Sequence, residues 1–314
     1  LSILSLTTLP TLVFLRARSS AIMSPLCLLL GDDGHHASDF LFGFLDLVGI
    51  IKLIDSELKT EVNLDGSIHL TDRLSTATLL HFENRQKDHD GNADGFMDMP
   101  KLRQYNLMHR WAYVSQGWIS QLMLRGLHDE HEGGQSLKHA NMAAAEHRYA
   151  TSVKTNRYEL QWKNGFTLNA DHNTSIALML HGSWHDADNV FGQTQYDVTQ
   201  KNGYAQLMFE TDINNSHNIS VGASLNHDYY NEHFNPLGAL LQAERNVTKE
   251  TTPGLYAQYT YKWGDKLTVM PGVRWDHSNV YGSFFTPRLH IKYSPSKVIT
   301  LRTSVGKGYR SPHA

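Results

Sequence analysis

The segment from residue 88 to residue 98 carries the residue types of a calcium-binding loop. It reads Asp-His-Asp-Gly-Asn-Ala-Asp-Gly-Phe-Met-Asp. Hard oxygen ligands at alternate positions, with a glycine where the chain must turn sharply, are typical of calcium loops. Counted from the third residue of the segment, oxygen donors fall at positions 1, 3, 5, 7 and 9 and the glycine at position 6: Asp90, Asn92, Asp94, the carbonyl of Phe96, Asp98 and Gly95.

One position of this pattern is missing. Calcium loops of this type supply a bidentate glutamate at position 12, and Lys101 stands there. A weak calcium site is therefore one interpretation of the segment, and such a site would order a loop without taking part in a reaction. The other interpretation is a solvated turn, rich in Asp, Asn and Gly, between two strands.

Histidines are the second candidate group, because the sequence holds 19 of them. Imidazole can bind haem iron or another transition metal. Their spacing fixes no site, since no pair four residues apart falls on a predicted helix, and solvated loop histidines are the alternative. The histidines predicted to lie in loops are His89, His128, His131, His139, His147, His185, His227, His233 and His277.

The sequence gives no support for an enzyme or a nucleic-acid-binding protein. It lacks the GxSxG and HExxH motifs, and Gly306-Lys-Gly308 lacks the upstream glycine and the helix of a phosphate-binding loop. Lys and Arg total 28 against 31 Asp and Glu, so no broadly cationic surface is available for phosphates. The only cysteine, Cys27, excludes an internal disulfide.

The elements that must position these residues are strands, because apolar and polar residues alternate along most of the chain from Thr60 on. The segments around Tyr158–Trp162 and Ile219–Leu225 are two examples. Short turns are predicted near residues 71–73, 115–117, 171–173, 214–217, 264–266 and 294–296. Longer polar loops, predicted near 85–100, 128–155, 185–200, 229–252 and 277–285, alternate with these turns. The strands between them have about ten residues each.

An outer-membrane barrel explains this alternation, because its turns are short on one side and its loops long on the other. Aromatic residues near strand ends fit the interfacial girdles of such a barrel: Trp111, Tyr113, Trp118, Trp162, Tyr261, Trp263 and Trp275. A soluble, secreted β-rich binding domain is the alternative. A lipid-facing band distinguishes the two, and its predicted members are Leu160, Val221, Leu225, Tyr259 and Leu289.

Basic residues recur on the opposite, polar face of the predicted strands. In a barrel this face lines the interior, where an unpaired charge is costly. We therefore expect its arginines to pair with Asp and Glu of neighbouring strands or of a plug domain, and to help draw an anionic ferric chelate inward. They are Arg110, Arg125, Arg157, Arg274, Arg288 and Arg302.

The first 56 residues differ from the rest, because their two apolar stretches lack the alternation. Arg16 and Arg18 follow an apolar stretch, whereas a secretory signal has its charges first. We expect residues 1–56 to be an atypical lead-in, disordered or non-native, and residues 57–314 to form part of a barrel of about twelve strands.

The C-terminal third resembles the TonB-dependent outer-membrane receptors. The resemblance rests on the segments 250–259 (ETTPGLYAQY), 286–295 (TPRLHIKYSP) and 301–312 (LRTSVGKGYRSP). The middle of the chain is similar in style to receptors of the Bacteroidetes type. The residues that match the family motifs are Pro253, Gly254, Pro287, Arg288, Gly306, Gly308, Tyr309, Arg310 and Pro312.

The resemblance implies an all-β, antiparallel, up-and-down transmembrane barrel in the outer membrane of a Gram-negative bacterium. It implies import of an iron–siderophore complex, with haem and cobalamin as alternative ligands, and coupling to the TonB complex through a plug domain. No plug is recognised in the sequence, and the family has 22 strands, so we expect an internal fragment of a receptor that lacks the plug and the C-terminal strands.

Overall fold

All regular structure in the described residues is β-strand. The computed structural model describes residues 12–20, 43–54, 57–136, 148–236 and 243–309. The strands are β1 (Leu12–Ser20), β2 (Gly43–Ile54), β3 (Glu57–His69), β4 (Leu74–Arg85), β5 (Lys101–Val114), β6 (Trp118–Gly134), β7 (Ala150–Asn169), β8 (Thr174–Phe191), β9 (Thr194–Asn214), β10 (His217–Asn235), β11 (Glu244–Trp263), β12 (Leu267–Ser278), β13 (Gly282–Tyr293) and β14 (Leu301–Gly306).

These strands form one sheet in which every strand pairs antiparallel with the next strand of the chain. The predicted all-β, up-and-down antiparallel architecture is therefore confirmed. Within the described residues, twelve strands run from Glu57 on, which is the number that the sequence predicts. β1 and β2 precede them and lie in the segment predicted to be an atypical lead-in; the backbone there pairs with the same sheet.

The register separates the side chains into two faces of opposite character. Five apolar residues predicted to form a lipid-facing band share one face, which we call the apolar face. The strand register shows this: Leu160 lies opposite Gly182, and Val221 lies opposite Ala257, on the same side of the sheet. All five are 38–46% exposed, so no second layer covers them: Leu160, Val221, Leu225, Tyr259 and Leu289.

The described part of the chain has almost no apolar core. Leu102 and Ala187 are the buried apolar side chains among the described residues. A soluble β-sandwich would bury the inner faces of two sheets against each other, and a single layer with an exposed apolar face does not. This arrangement favours the barrel over the soluble alternative. No helix in the described residues is long and apolar enough to cross a membrane.

Large aromatic side chains on the apolar face lie beside the short turns and again near the middle of the long strands. Trp118, Phe166 and Trp263 are exposed beside the short turns, and Tyr158 and Trp184 are exposed near the middle of β7 and β8. Phe166 lies eight positions after Tyr158 in β7. At a strand tilt of about 40° they span roughly 20 Å, close to the height of a lipid-facing barrel band.

The short turns lie where the sequence predicts them, and asparagine builds two of them. The side-chain oxygen of Asn214 accepts hydrogen bonds from the backbone N–H of Ser216 and His217, at 2.9 and 3.1 Å. Asn173 takes a φ of +46°, a left-handed conformation that asparagine tolerates better than most residues. The connection after β13 is longer than predicted, at residues 294–300.

Four of the five predicted long loops are wrong or too long, and only the loop at 85–100 agrees with the structure. The predicted loop at 185–200 is the continuation of β8 and β9, joined by residues 192 and 193 alone. The connections at 135–149, 236–243 and 279–281 are also shorter than predicted. Strands of 17–21 residues therefore replace several of the ten-residue strands expected. Polar residues beyond an apolar band can stay hydrogen-bonded in a ladder, so polarity alone does not mark a loop.

Candidate functional site

A buried carboxylate organises the polar face near the end of β12 that is distant from the short turns. Asp276 is 0% exposed. Arg274 donates from Nε to Oδ2 at 2.7 Å and from Nη2 to Oδ1 at 2.6 Å, and its Nη2 also donates to Oγ of Ser224 at 2.8 Å. Bidentate pairs between arginine and a carboxylate are among the strong hydrogen bonds of proteins. The desolvated charge of Asp276 is therefore fully compensated within the sheet.

Gly254 makes room for this pair. It lies opposite Asp276 in the ladder between β11 and β12. A Cβ at this position would lie 2.1 Å from Oδ1 of Asp276 and 2.7 Å from Nη2 of Arg274. Only glycine allows the carboxylate to lie against the neighbouring backbone.

Tyr309 closes the cluster from the segment that follows β14. Its ring stacks on Phe284 with centroids 4.0 Å apart and an interplanar angle of 2°. Burial raises the pKa of the Tyr309 phenol, and the charge of Asp276 and a hydrogen bond to it act in the same direction. We call Ser224, Gly254, Arg274, Asp276 and Tyr309 the Asp276 cluster.

A cavity of about 510 Å³ lies on the polar face beside this cluster. Arg288 donates from Nη2 to Oε1 of Gln258 at 3.1 Å, and in the described residues neither Arg288 nor Lys307 has a carboxylate within 4 Å. The Tyr256 hydroxyl is buried without a hydrogen-bond partner, and its ring lies over Gly222, where a Cβ would come within 2.4 Å of the ring. The cavity wall is therefore mostly polar, and its charged lining residues are Glu210, Arg274, Arg288 and Lys307.

The segment 88–98 forms the connection between β4 and β5, at the same end of the sheet as the Asp276 cluster. Its side chains fold back on the backbone: Oδ2 of Asp90 accepts from Gly95 N at 3.2 Å, and Oδ1 of Asp94 accepts from Phe96 N at 2.8 Å. Oδ1 of Asn92 accepts from Asp94 N at 3.1 Å. Gly95 has a φ of +86°, which glycine adopts without strain.

Asp90 is the exception among the acidic residues of this loop. It is only 8% exposed, and its Oδ1 is buried without a hydrogen-bond partner. Asp94 and Asp98 are exposed, and Asp98 accepts from Gly91 N at 2.7 Å. The hydrogen bonds are those of an Asx-rich turn, while the buried Asp90 oxygen has no positive partner in the described residues. Whether calcium binds here stays a prediction.

The TonB-dependent receptor-like β-barrel family model matches residues 72–314. The chain belongs to this family. Proteins of the family are transport receptors of the Gram-negative outer membrane. No curated protein sequence matches the chain.

Solved structures of receptor barrels have the same fold. A variant of the ferric enterobactin receptor PfeA from Pseudomonas aeruginosa matches with a TM-score of 0.64 and 12% identity, over 86% of this chain and 44% of that one. The siderophore receptor PirA from Acinetobacter baumannii matches with 0.59 and 14%, over 88% and 44%. The ferric citrate transporter FecA matches with 0.59 and 13%, over 84% and 44%. The chain thus spans less than half the length of these receptors.

Some of the residues that match the receptor motifs lie in or beside the Asp276 cluster. Gly254 and Tyr309 belong to it, and Pro287 accepts a backbone hydrogen bond from Lys307 at 3.0 Å. Gly306 gives space to Arg288, since a Cβ there would lie 3.2 Å from the Arg288 Cβ. Pro253 lies on the apolar face of β11, and Gly308 follows β14. Arg310 and Pro312 lie outside the described residues.

The arginines predicted on the polar face of this receptor barrel do lie there, and three of them pair with carboxylates. Arg157 contacts Glu159 at 2.6 Å, and Arg125 contacts the same carboxylate at 3.4 Å. Arg274 pairs with Asp276. Asp276 itself was missed from the sequence, because a single acidic residue on an alternating strand gives no sign of how deeply it is buried.

The histidines do not form a metal site in the described part of the receptor. No group of three or more His, Cys, Asp or Glu side chains that could hold a metal ion lies in residues 59–136, 148–236 or 243–309. His128, His131, His185, His227, His233 and His277 lie in strands, not in loops as predicted. His89 is in the β4–β5 connection, while His139 and His147 lie outside the described residues.

Proposed function

We propose that the chain is part of the barrel wall of a TonB-dependent outer-membrane transporter for an iron–siderophore complex. The observation that carries the proposal is the single-layer sheet, with an exposed apolar face and a charged polar face, in a chain of the receptor family. A bilayer covers the first face, and the second lines the interior. The solved structures that it resembles are named as receptors for ferric enterobactin, siderophores and ferric citrate.

The proposed transport involves no catalysis. Loops at the outer end of the barrel capture the metal chelate, and energy delivered through the TonB complex displaces a plug region so that the chelate passes along the polar face. Arg288 and Lys307 support an anionic cargo, because they outnumber Glu210, the carboxylate that lines the same cavity without an ion pair in the described residues, and a local surplus of cations attracts an anionic ligand. The capture residues belong to the connections at 86–100, 135–149 and 236–243.

Haem and cobalamin are the alternative cargoes. Haem import would use imidazoles at the outer mouth, and His89 is a buried imidazole in an outer connection. We also propose that the receptor is of the Bacteroidetes type, on the similarity of the middle of the sequence.

Deletion of the full-length gene tests the proposal. The deletion strain and a strain complemented with the intact gene are grown on single iron sources, on haem and with limiting cobalamin. We expect a growth defect on one ferric siderophore alone, restored by complementation. A growth defect confined to haem or to limiting cobalamin would mean that this compound, and not a ferric siderophore, is the cargo. No defect on any iron source would overturn the siderophore proposal.

A further inference from the structure

We propose that the β4–β5 connection binds one calcium ion through the oxygens of Asp90, Asn92, Asp94 and Phe96. The proposal does not depend on which ligand the receptor imports. It rests on two independent observations: the spacing of the oxygen donors in the sequence, and a buried carboxylate oxygen in the structure that has no partner.

The proposed donor residues lie in one tight turn. Asp90, Asn92 and Asp94 each use one side-chain oxygen to accept a backbone N–H from within the loop, at 2.8–3.2 Å. Because the Asp90 carboxylate reaches Gly95 N across the turn, it points into the loop. The exposed side chains of Asn92 and Asp94 leave the same loop open to solvent on the other side.

The buried oxygen is the observation that points to a ligand. Asp90 is more than nine-tenths buried, and its Oδ1 has no hydrogen-bond partner. A desolvated carboxylate oxygen without a partner is costly, and proteins satisfy such atoms with a cation or a hydrogen-bond donor. Asp276 has Arg274 for this purpose, whereas Asp90 has no ion pair in the described residues.

The rest of the sheet holds the loop in place. Gly95 O accepts from Ser136 N and Gly134 O accepts from Met97 N, both at 2.8 Å. Phe96 also forms a bridge to Gln135. These contacts fix the loop against the end of β6 and the residues that follow it. Binding of an ion therefore costs little additional conformational entropy.

The donor set selects a hard cation. All proposed ligands are oxygens, which suit calcium or magnesium better than zinc or copper. An irregular loop with mixed carboxylate, amide and carbonyl oxygens suits calcium, since magnesium demands near-ideal octahedral geometry. Only two of the proposed ligands are carboxylates, and Lys101 replaces the glutamate at position 12. The affinity should therefore be low, in the roughly 0.1–1 mM range of extracellular calcium modules.

Calorimetric titration of the purified, detergent-solubilised chain with calcium chloride tests the site. We expect one ion per chain, with magnesium chloride giving a weaker signal. Asp90→Asn and Asp94→Asn should each weaken calcium binding about tenfold or more, because each removes a charged ligand. Asp265→Asn, which makes the same charge change at an exposed short turn, should leave the affinity within about twofold of the wild type.

The exposed Asp94 keeps the test decisive if the Asp90 variant does not fold, and circular dichroism checks the fold of each variant. A folded wild-type chain that shows no saturable calcium signal up to millimolar concentrations would overturn the proposal. Calcium affinity unchanged in Asp94→Asn would overturn it as well, since the ion would then lie elsewhere.

Discussion

Asp276 and Asp90 are two acidic side chains withdrawn from water at the same end of the sheet, and they differ in what stands opposite their charge. Asp276 lies in the strand ladder with a bidentate arginine and a tyrosine around it. Asp90 lies in a connection, with one oxygen on a backbone N–H and the other without a partner. In a strand, the residue two positions away lies on the same face and can pair with a buried carboxylate, as Arg274 does with Asp276. In the tight loop, no basic residue of the described chain is placed in this way beside Asp90.

The difference has a physical origin in the two backbones. Along β12, Arg274 and Asp276 point to the same face because side chains alternate with a period of two. The loop between β4 and β5 turns within a few residues around Ala93 and Gly95, both at positive φ. Its side chains therefore accept from backbone N–H groups of the loop itself, and no arginine or lysine pairs with Asp90 in the described residues.

The largest effect is expected for Arg274→Ala. This change leaves the fully buried charge of Asp276 without its partner, and breaking a buried pair costs about 3–5 kcal/mol. Because Arg274 is about one-third exposed, we expect the lower part of that range in the free energy of unfolding, measured by urea titration in detergent. Arg288→Ala is the control, since Arg288 bonds only an amide. Equal losses of stability in the two variants would contradict the prediction that the buried charge of Asp276 depends on its pairing with Arg274.

A smaller loss is expected for Gly254→Ala. The new methyl group would overlap the Asp276 carboxylate, and overpacking costs about 1–3 kcal/mol. The matched control is Gly165→Ala in β7, where no atom lies within 4 Å of an added Cβ. If both alanine variants unfold at the same urea concentration, the close approach of Asp276 to the β11 backbone is not a constraint.

The smallest effect on stability is expected for Asp90→Asn without calcium. The asparagine keeps an acceptor for Gly95 N and removes a buried charge, so stability should change by less than about 1 kcal/mol, or rise slightly. Asp276→Asn should lower stability under the same conditions, because Arg274 loses its charged partner. Both are measured by urea unfolding in the presence of a chelator. A large loss for Asp90→Asn without metal would mean that Oδ1 is already satisfied.

The two faces of the sheet could be predicted from the sequence, because alternation with a period of two is a local property. Leu160 and Val221 lie on one face and Arg125 and Arg157 on the other, as predicted. The short turns were predicted for the same reason, since residues such as Asn214 determine their own conformation. The identity of the strand partners follows from the turns.

Strand length and burial could not be predicted in this way. The polar residues of 185–200 predict a loop, yet all of them except 192 and 193 continue β8 and β9 beyond the apolar band. The hydrogen bonds that stabilise these strand extensions join backbone groups, which residues of almost any type can supply. The burial of Asp276 depends on Gly254 and Tyr309, which are 22 and 33 positions away, and no local pattern reports such contacts.

The strict up-and-down order of the sheet has a consequence for how the chain reaches its structure. In the described residues, each strand contacts only the strands before and after it in the chain. Each new strand therefore closes a single hairpin, and the entropy of loop closure is limited to the connection that precedes that strand. Among β-sheet proteins this is a topology of low contact order, so the wall can grow by addition of one strand at a time.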